Sequence, residues 1–170
     1  DKKWAKTAPN LELYYMQRGV KKKDGLRYDI TVIPSKMLGK EFVKTKGHEH
    51  SENYGEIYTV LEGTALYLVQ EYKDKKIKDV YAVKAKKGEA VIIPPGYGHV
   101  TINHAKKKLV EANWLDEKCK NVYDLFVKNE GACYFYTKNG WIKNKNYKFA
   151  PKLRFEKPLK KAPKNLNFLH

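Results

Sequence analysis

Strand-length apolar segments recur along most of this 170-residue chain, and they constrain its fold more than any other feature. Each is rich in Val, Ile, Tyr and Phe and is bounded by Gly, Pro, Asn or Lys-Asp turns. No apolar period of 3.6 residues is sustained, so helices should be few and short. The sequence therefore predicts an all-β barrel or double sheet. The segments are residues 11–16, 28–33, 41–45, 56–61, 65–71, 79–83, 90–93, 99–103, 108–114, 122–127 and 133–137.

Turn and breaker residues divide the chain further. Residues 73–76 predict a hairpin, and residues 1–11 are the best place for a helical turn or an arm. From Trp141 onward the sequence is rich in Lys and Asn and is interrupted by prolines. We therefore expect a single domain over residues 1–140 and an extended C-terminal tail over residues 141–170, packed on the barrel or on a second subunit.

Composition limits the class of protein. The length fits one domain, and no segment reaches the roughly 18 to 20 apolar residues of a membrane span. The start has no charged-then-apolar leader, so a cytoplasmic location is expected. Cys119 and Cys133 lack Cys-x-x-Cys spacing and are interpreted as reduced thiols, with a disulfide as the alternative.

The formal net charge of +16 suggests nucleic-acid binding at first. Almost all of this charge comes from lysines scattered in turn-like runs, and arginine occurs only at positions 18, 27 and 154. Because arginine is the preferred reader of base edges, the composition argues against specific nucleic-acid recognition. A basic surface can still attract a small anionic substrate.

A first cluster of metal-ligand residues lies in residues 45–63. His48 and His50 are two residues apart, so in an extended strand both side chains can point to one metal while Glu49 points away. Glu56 follows after five residues. Imidazole and carboxylate ligands suit a borderline divalent metal, and we expect iron, with manganese, nickel or zinc as alternatives.

A second cluster runs from Gly88 to Asn103. Glycine and proline mark turns around the apolar residues 91–93, which would bring His99 from a neighbouring strand. The order is glycine, five residues, proline, any residue, glycine, two residues, histidine, three residues and asparagine. Together the two clusters predict one metal ion per subunit, held by His48, His50, Glu56 and His99.

These two segments resemble the metal-binding motifs of the cupin fold, a double-stranded β-helix or jelly-roll barrel. More narrowly, residues 14–116 resemble the cupin-type glucose-6-phosphate isomerases, known chiefly from archaea. The most specific match is Thr-Lys-Gly-His-Glu-His at residues 45–50, preceded by Gly-Lys-Glu-Phe at residues 39–42. Further matches are Glu56-Ile57-Tyr58, Pro94-Pro95, His99 and Asn103.

The resemblance implies roles for individual residues. It assigns metal binding to the three histidines and Glu56, and it implies that Thr31, Thr45 and Gly47 bind the substrate phosphate. Tyr58 would face the sugar, Tyr14 or Tyr15 would match a further family tyrosine, and Tyr123 would match one member of a Tyr, His and Tyr cluster. Glu56 and Tyr58 are the expected catalytic residues, and Lys46 alternates away from the site.

The implied activity is the interconversion of glucose 6-phosphate and fructose 6-phosphate. A metal could polarise the carbonyl, Glu56 could move a proton, and the threonines could hold the phosphate. The alternatives are a metal-dependent cupin dioxygenase and a sugar-binding cupin without catalysis. Because residues 65–71 carry large apolar side chains on both faces, we also expect a homodimer.

Overall fold

The computed structural model describes residues 1–170, except for the side chain of Lys2. Most of its regular structure is β-strand, as predicted. In chain order the elements are α1 (Lys2–Ala5), β1 (Tyr15–Lys23), β2 (Leu26–Ile33), β3 (Met37–Leu38), β4 (Glu41–Phe42), β5 (Glu49–His50), β6 (Glu56–Glu62), β7 (Thr64–Lys73), β8 (Lys76–Lys86), β9 (Ala90–Ile93), β10 (Tyr97–Ile102), β11 (Leu109–Asp116), β12 (Asn121–Val122), α2 (Asp124–Lys128), β13 (Tyr134–Thr137), β14 (Gly140–Lys143), β15 (Arg154–Glu156) and the 3₁₀ helix η1 (Asn167–Leu169).

Two sheets form the barrel. One has the strand order β1-β2-β11-β6-β9 and the other β10-β7-β8-β15. Side chains alternate across each strand, so every second residue points between the sheets. In β2, for example, Asp29, Thr31 and Ile33 are buried whereas their neighbours are partly exposed. The apolar part of this interior includes Ile33, Val43, Tyr58, Val60, Tyr67, Val69, Val83, Ile93 and Leu109.

The hairpin predicted at residues 73–76 is confirmed. Lys73 pairs with Lys76, and the chain reverses through Asp74 and Lys75 between β7 and β8. Both turn residues have positive φ angles, 52° and 62°. This is the conformation of a two-residue type I′ turn, whose twist matches that of the flanking strands.

The strand predicted over residues 122–127 is wrong. The chain forms only the two-residue strand β12 there and continues as α2. Asp124 lies in the first turn of α2 and Lys128 in the last, which suits the helix dipole. Leu125 and Phe126 are buried, so a short helix gains its stability from packing against the barrel.

A second apolar core lies outside the barrel, on the outer face of β7 and β8. Leu66 and Leu68 point outward from β7, but the chain's own later residues cover them. The two apolar faces of β7 are therefore both buried within one chain. This removes the reason for the expected homodimer, which stays a prediction. The covering residues include Leu125, Phe126, Ala132, Cys133, Tyr134, Tyr147, Ala150 and Leu153.

The C-terminal segment contacts the barrel at several points. β15 pairs in parallel with β8, and Leu159 exchanges two backbone hydrogen bonds of 2.8 and 2.9 Å with Ala90. Leu169 is fully buried in a third cluster with Leu26 and Ile57. The division into a domain and a tail near residue 140 stays a prediction.

The cysteines and the N-terminal residues can be compared with the predictions from composition. Both cysteines are buried free thiols. The helical turn expected near the start is confirmed as α1, which is capped by the side chain of Asp1. Among the described residues, no helix is long and apolar enough to span a membrane.

Candidate metal centre and substrate site

Three neighbouring strands bring the predicted metal ligands together. His50 ends β5, His99 lies in β10, and Glu56 is the first residue of β6. His48 and His99 exchange two backbone hydrogen bonds, with nitrogen-to-oxygen distances of 2.9 and 3.2 Å. The two-residue spacing of His48 and His50 then places both side chains on the inner face.

The four side chains form one compact cluster. One ligand atom from each residue can be chosen so that all four lie within 4.8 Å of one another. The Glu56 Oε2 atom lies 3.1 Å from His50 Nε2, 3.3 Å from His99 Nε2 and 4.0 Å from His48 Nε2. His48 is the most open of the four, with 12% of its side chain exposed against 1–2% for the others.

The protonation states of three of the four ligands suit a cation. Burial lowers the pKa of His48 to about 4 and that of His99 well below its ordinary value. Burial alone would raise the pKa of Glu56, but the hydrogen bond from His50 and the charges of the histidines outweigh it and lower that pKa to about 2. For His50, burial lowers the pKa but the hydrogen bond and charge of Glu56 raise it overall. Because metal binds an ionised carboxylate and neutral imidazoles, a metal ion would displace a proton from His50.

A buried atom without a partner supports the same interpretation. Among the described residues, His48 Nε2 is buried and has no hydrogen-bond partner. Such a polar atom is costly unless something binds it. Three imidazole nitrogens and one carboxylate oxygen also form a donor set that divalent transition metals favour. The cluster can therefore hold one metal ion.

Neighbouring residues fix the orientation of these ligands. Asn113 Nδ2 donates a 2.6 Å hydrogen bond to Glu56 Oε1, and the Tyr58 hydroxyl lies 3.0 Å from His99 Nε2. His50 Nδ1 lies 3.1 Å from the carbonyl of Tyr54. Such contacts orient the ligands of a metal site. Asn113 was missed from sequence, and its only signal is that it has the inward parity of β11.

Thr45 and Gly47 lie next to the cluster, as the resemblance implies. Thr45 Oγ1 accepts a 3.0 Å hydrogen bond from the backbone of Thr101, which leaves its hydroxyl hydrogen free for another acceptor. Gly47 has a φ angle of 81°, and a Cβ atom there would overlap Val100 and Phe126. Glycine is thus required at position 47 by conformation and by packing.

Thr31 faces a buried carboxyl that the sequence analysis did not identify. Thr31 is 2% exposed in β2, directly opposite Glu111 in β11. Glu111 Oε2 accepts a 2.6 Å hydrogen bond from the hydroxyl of Tyr67, and burial raises the pKa of Glu111 to about 8. The interior of the barrel therefore holds a second carboxyl group, in its neutral form at neutral pH.

The three other tyrosines predicted to bind substrate lie at different distances from the metal-ligand cluster. The Tyr14 hydroxyl accepts a 3.3 Å hydrogen bond from the backbone of Lys46, whereas Tyr15 is 47% exposed and is not brought to the cluster. The ring of Tyr123 lies 5.8 Å from that of His48. The Lys46 ammonium lies 4.7 Å from the centre of the Tyr123 ring. Lys46 is exposed, as its outward parity predicts, and its long side chain folds back over the ring of Tyr123.

Comparison with known proteins identifies similar sequences. The sequence model of the family described as Glucose-6-phosphate isomerase (GPI) matches residues 10–152. The chain is 31% identical over 100 residues to the glucose-6-phosphate isomerase of Thermococcus litoralis, an alignment that covers 58% of this chain and 50% of that protein. It is 32% identical over 93 residues to the enzyme of that name from Pyrococcus furiosus, covering 54% and 47%. The chain thus spans about half the length of the curated relatives it matches.

Solved structures agree on the fold. Oxalate decarboxylase of Lactobacillus farciminis superposes with a TM-score of 0.50 at 15% sequence identity, covering 64% of this chain and 30% of that one. This likeness concerns the fold alone. The cupin fold predicted from the two motifs is confirmed.

Proposed function

The chain belongs to the glucose-6-phosphate isomerase family, and from this premise we propose that it is a metal-dependent aldose–ketose isomerase that interconverts glucose 6-phosphate and fructose 6-phosphate. One observation carries the proposal. The segment Thr45 to His48 runs directly into the cluster of metal ligands, so the segment that we propose to bind phosphate and the centre that we propose to bind the carbonyl are contiguous. A six-carbon sugar phosphate is long enough to contact both.

The chain's own residues divide the chemistry between them. His48, His50, Glu56 and His99 would hold a divalent metal, with iron as the expected ion. When bound, the metal would polarise the substrate carbonyl as a Lewis acid. Holding the remote phosphate positions C1 and C2 at this centre, which contributes to rate as well as to binding.

We assign the proton transfer to Glu56. Its carboxylate would accept the proton from C2 of glucose 6-phosphate as the C1–C2 double bond of an enediol forms, and would return a proton to C1. The C2 hydroxyl proton passes to the C1 oxygen, which balances the reaction. Asn113 fixes one carboxylate oxygen, and the Tyr58 hydroxyl, which lies 3.0 Å from His99 Nε2, would hydrogen-bond a sugar oxygen.

The activity is tested by following conversion of fructose 6-phosphate to glucose 6-phosphate. We expect turnover that is lost on chelation and restored by a divalent metal, because neutral imidazoles and a carboxylate bind such ions reversibly. Matched samples of a His48→Ala/His99→Ala variant should contain little metal and show no restored turnover. No conversion with any added metal, or consumption of dioxygen instead, would contradict the isomerase assignment.

A second prediction concerns the phosphate. Replacing Thr45 by valine keeps the β-branched shape but removes the hydroxyl, so KM for fructose 6-phosphate should rise by about tenfold, the scale of one hydrogen bond to a charged group. Thr45→Ser keeps the hydroxyl and serves as the control. Steady-state kinetics of the three proteins measure the effect. Equal KM values for wild type and Thr45→Val would remove Thr45 from the phosphate site.

A further inference from the structure

A tyrosine lies beside His48, and a lysine lies over the tyrosine ring. His48 is the most exposed of the four ligands, and the Tyr123 ring lies 5.8 Å from it. The Lys46 ammonium lies 4.7 Å from the centre of the same ring. A substrate that approaches the cluster past His48 therefore meets a cation held over an aromatic face.

The position of Tyr123 is itself fixed. Asn121 Nδ2 donates a 3.2 Å hydrogen bond to the Tyr123 hydroxyl. Asn121 in turn pairs with His50 across the β5–β12 ladder. The Tyr123 ring is therefore held by Asn121, whose strand pairs with the strand of the metal ligand His50. The Lys46 ammonium lies over this fixed ring.

Lys46 has no acidic partner. Other lysines pair with carboxylates, such as Lys22 with Glu117 at 3.1 Å and Lys108 with Glu62 at 3.3 Å. Within the part of the chain that the structure describes, no carboxylate oxygen lies within 4.0 Å of Lys46 Nζ. Its positive charge therefore remains available to an anion from solution.

We propose that Lys46 recognises the anionic group of the substrate, and that Tyr123 positions the lysine for this contact. The inference rests on the proposed function and extends it, because hydroxyl and backbone donors alone were expected to bind the phosphate. Lys46 lies between Thr45 and Gly47, the two residues proposed above for phosphate binding. The site would select sugars that carry a dianionic phosphate over neutral sugars.

Charge recognition has a measurable signature. Attraction between an accessible ammonium and a phosphate is screened by salt, whereas a hydrogen bond from a threonine hydroxyl is screened much less. Phosphate affinity should therefore fall as ionic strength rises, and removal of the Lys46 charge should make this fall less steep. The net charge of the whole protein also attracts anions, so a control for total charge is required.

The test measures binding of inorganic phosphate to the metal-loaded protein by calorimetry at low and high ionic strength. Lys46→Gln should weaken binding by roughly fivefold to tenfold at low ionic strength, with a smaller salt dependence. Lys46→Arg should retain most of the affinity. Lys87→Gln, which removes the same charge from an exposed turn between β8 and β9, should bind as the wild type does. Tyr123→Leu should weaken binding in part, because the lysine loses its support.

The outcomes separate this inference from the proposed function. A Lys46→Gln variant with the affinity and salt dependence of the wild type would overturn the inference even if the protein isomerises fructose 6-phosphate. The same holds if Lys87→Gln weakens phosphate binding equally, because total charge would then be the cause. A protein that binds phosphate through Lys46 but does not isomerise the sugar would keep the inference and lose the isomerase assignment.

Discussion

Turnover of fructose 6-phosphate should fall by about a hundredfold or more when Glu56 is replaced by glutamine, the usual scale for a positioned acid or base. Glutamine has nearly the same shape, so His48, His50 and His99 should still bind some metal. The amide cannot accept the C1 proton of fructose 6-phosphate, and it contributes no negative charge to the ligand set. Kinetics should be normalised to metal content measured on the same samples.

A control variant and an isotope experiment test whether the loss of turnover reflects proton transfer by Glu56. Glu49→Gln is the matched control, because Glu49 lies between the two histidines in sequence but is not part of the ligand cluster. It should leave turnover near the wild-type value. In deuterated water the wild type should incorporate deuterium into the product, because a carboxylate can exchange its proton with solvent. A fully metallated Glu56→Gln variant with wild-type turnover would show that Glu56 is neither base nor essential ligand.

Replacing Glu111 by glutamine should remove a large pH-dependent loss of stability. Burial raises the pKa of this carboxyl from 4.5 to about 8. Below pH 4.5 the folded and unfolded states are both protonated, so the group has no effect. As the pH rises from 4.5 to about 8, the unfolded state loses its proton while the folded state retains it. The free energy of unfolding then falls by up to about 1.4 kcal/mol for each pH unit.

The variant should lack this loss, because glutamine does not ionise but still accepts the hydrogen bond from Tyr67. Relative to the wild type, Glu111→Gln should therefore gain several kcal/mol between about pH 5 and pH 8. Other groups that face Glu111, namely Tyr58, Tyr67 and Glu56, occur in both proteins and cancel in the difference. Chemical denaturation across this pH range measures it. A stability difference that does not vary with pH would mean that Glu111 is ionised in the folded protein.

The metal ligands could be predicted from the sequence because their spacing is local. His48 and His50 share a face through the two-residue repeat of a strand, and the glycine and proline pattern before His99 marks the turn that precedes β10. The fold could be predicted for the same reason. Strand length, turn residues and the absence of a helical period are properties of short windows.

What could not be predicted depends on contacts between distant residues. The pairing of Thr31 with Glu111 joins residues 80 positions apart and depends on strand register, which no local pattern fixes. Lys46 has the outward parity of its segment, and only a long flexible side chain and the ring of Tyr123 bring its charge back. Residues 122–127 are apolar except for Asp124, as in a buried strand, but packing of Leu125 and Phe126 against the barrel favours a helix.

The cover that residues 125–153 form over β7 and β8 also sets an order of events during synthesis. A ribosome releases β7, β8 and β10 before this cover exists, so the outward side chains of the sheet face water while the later residues are still being made. Contacts between residues far apart in sequence form slowly, and exposed apolar sheet surface favours aggregation during that interval. Leu66 and Leu68 are among the side chains left uncovered during this interval. The outer face of this sheet is buried only after residues 125–153 have been made.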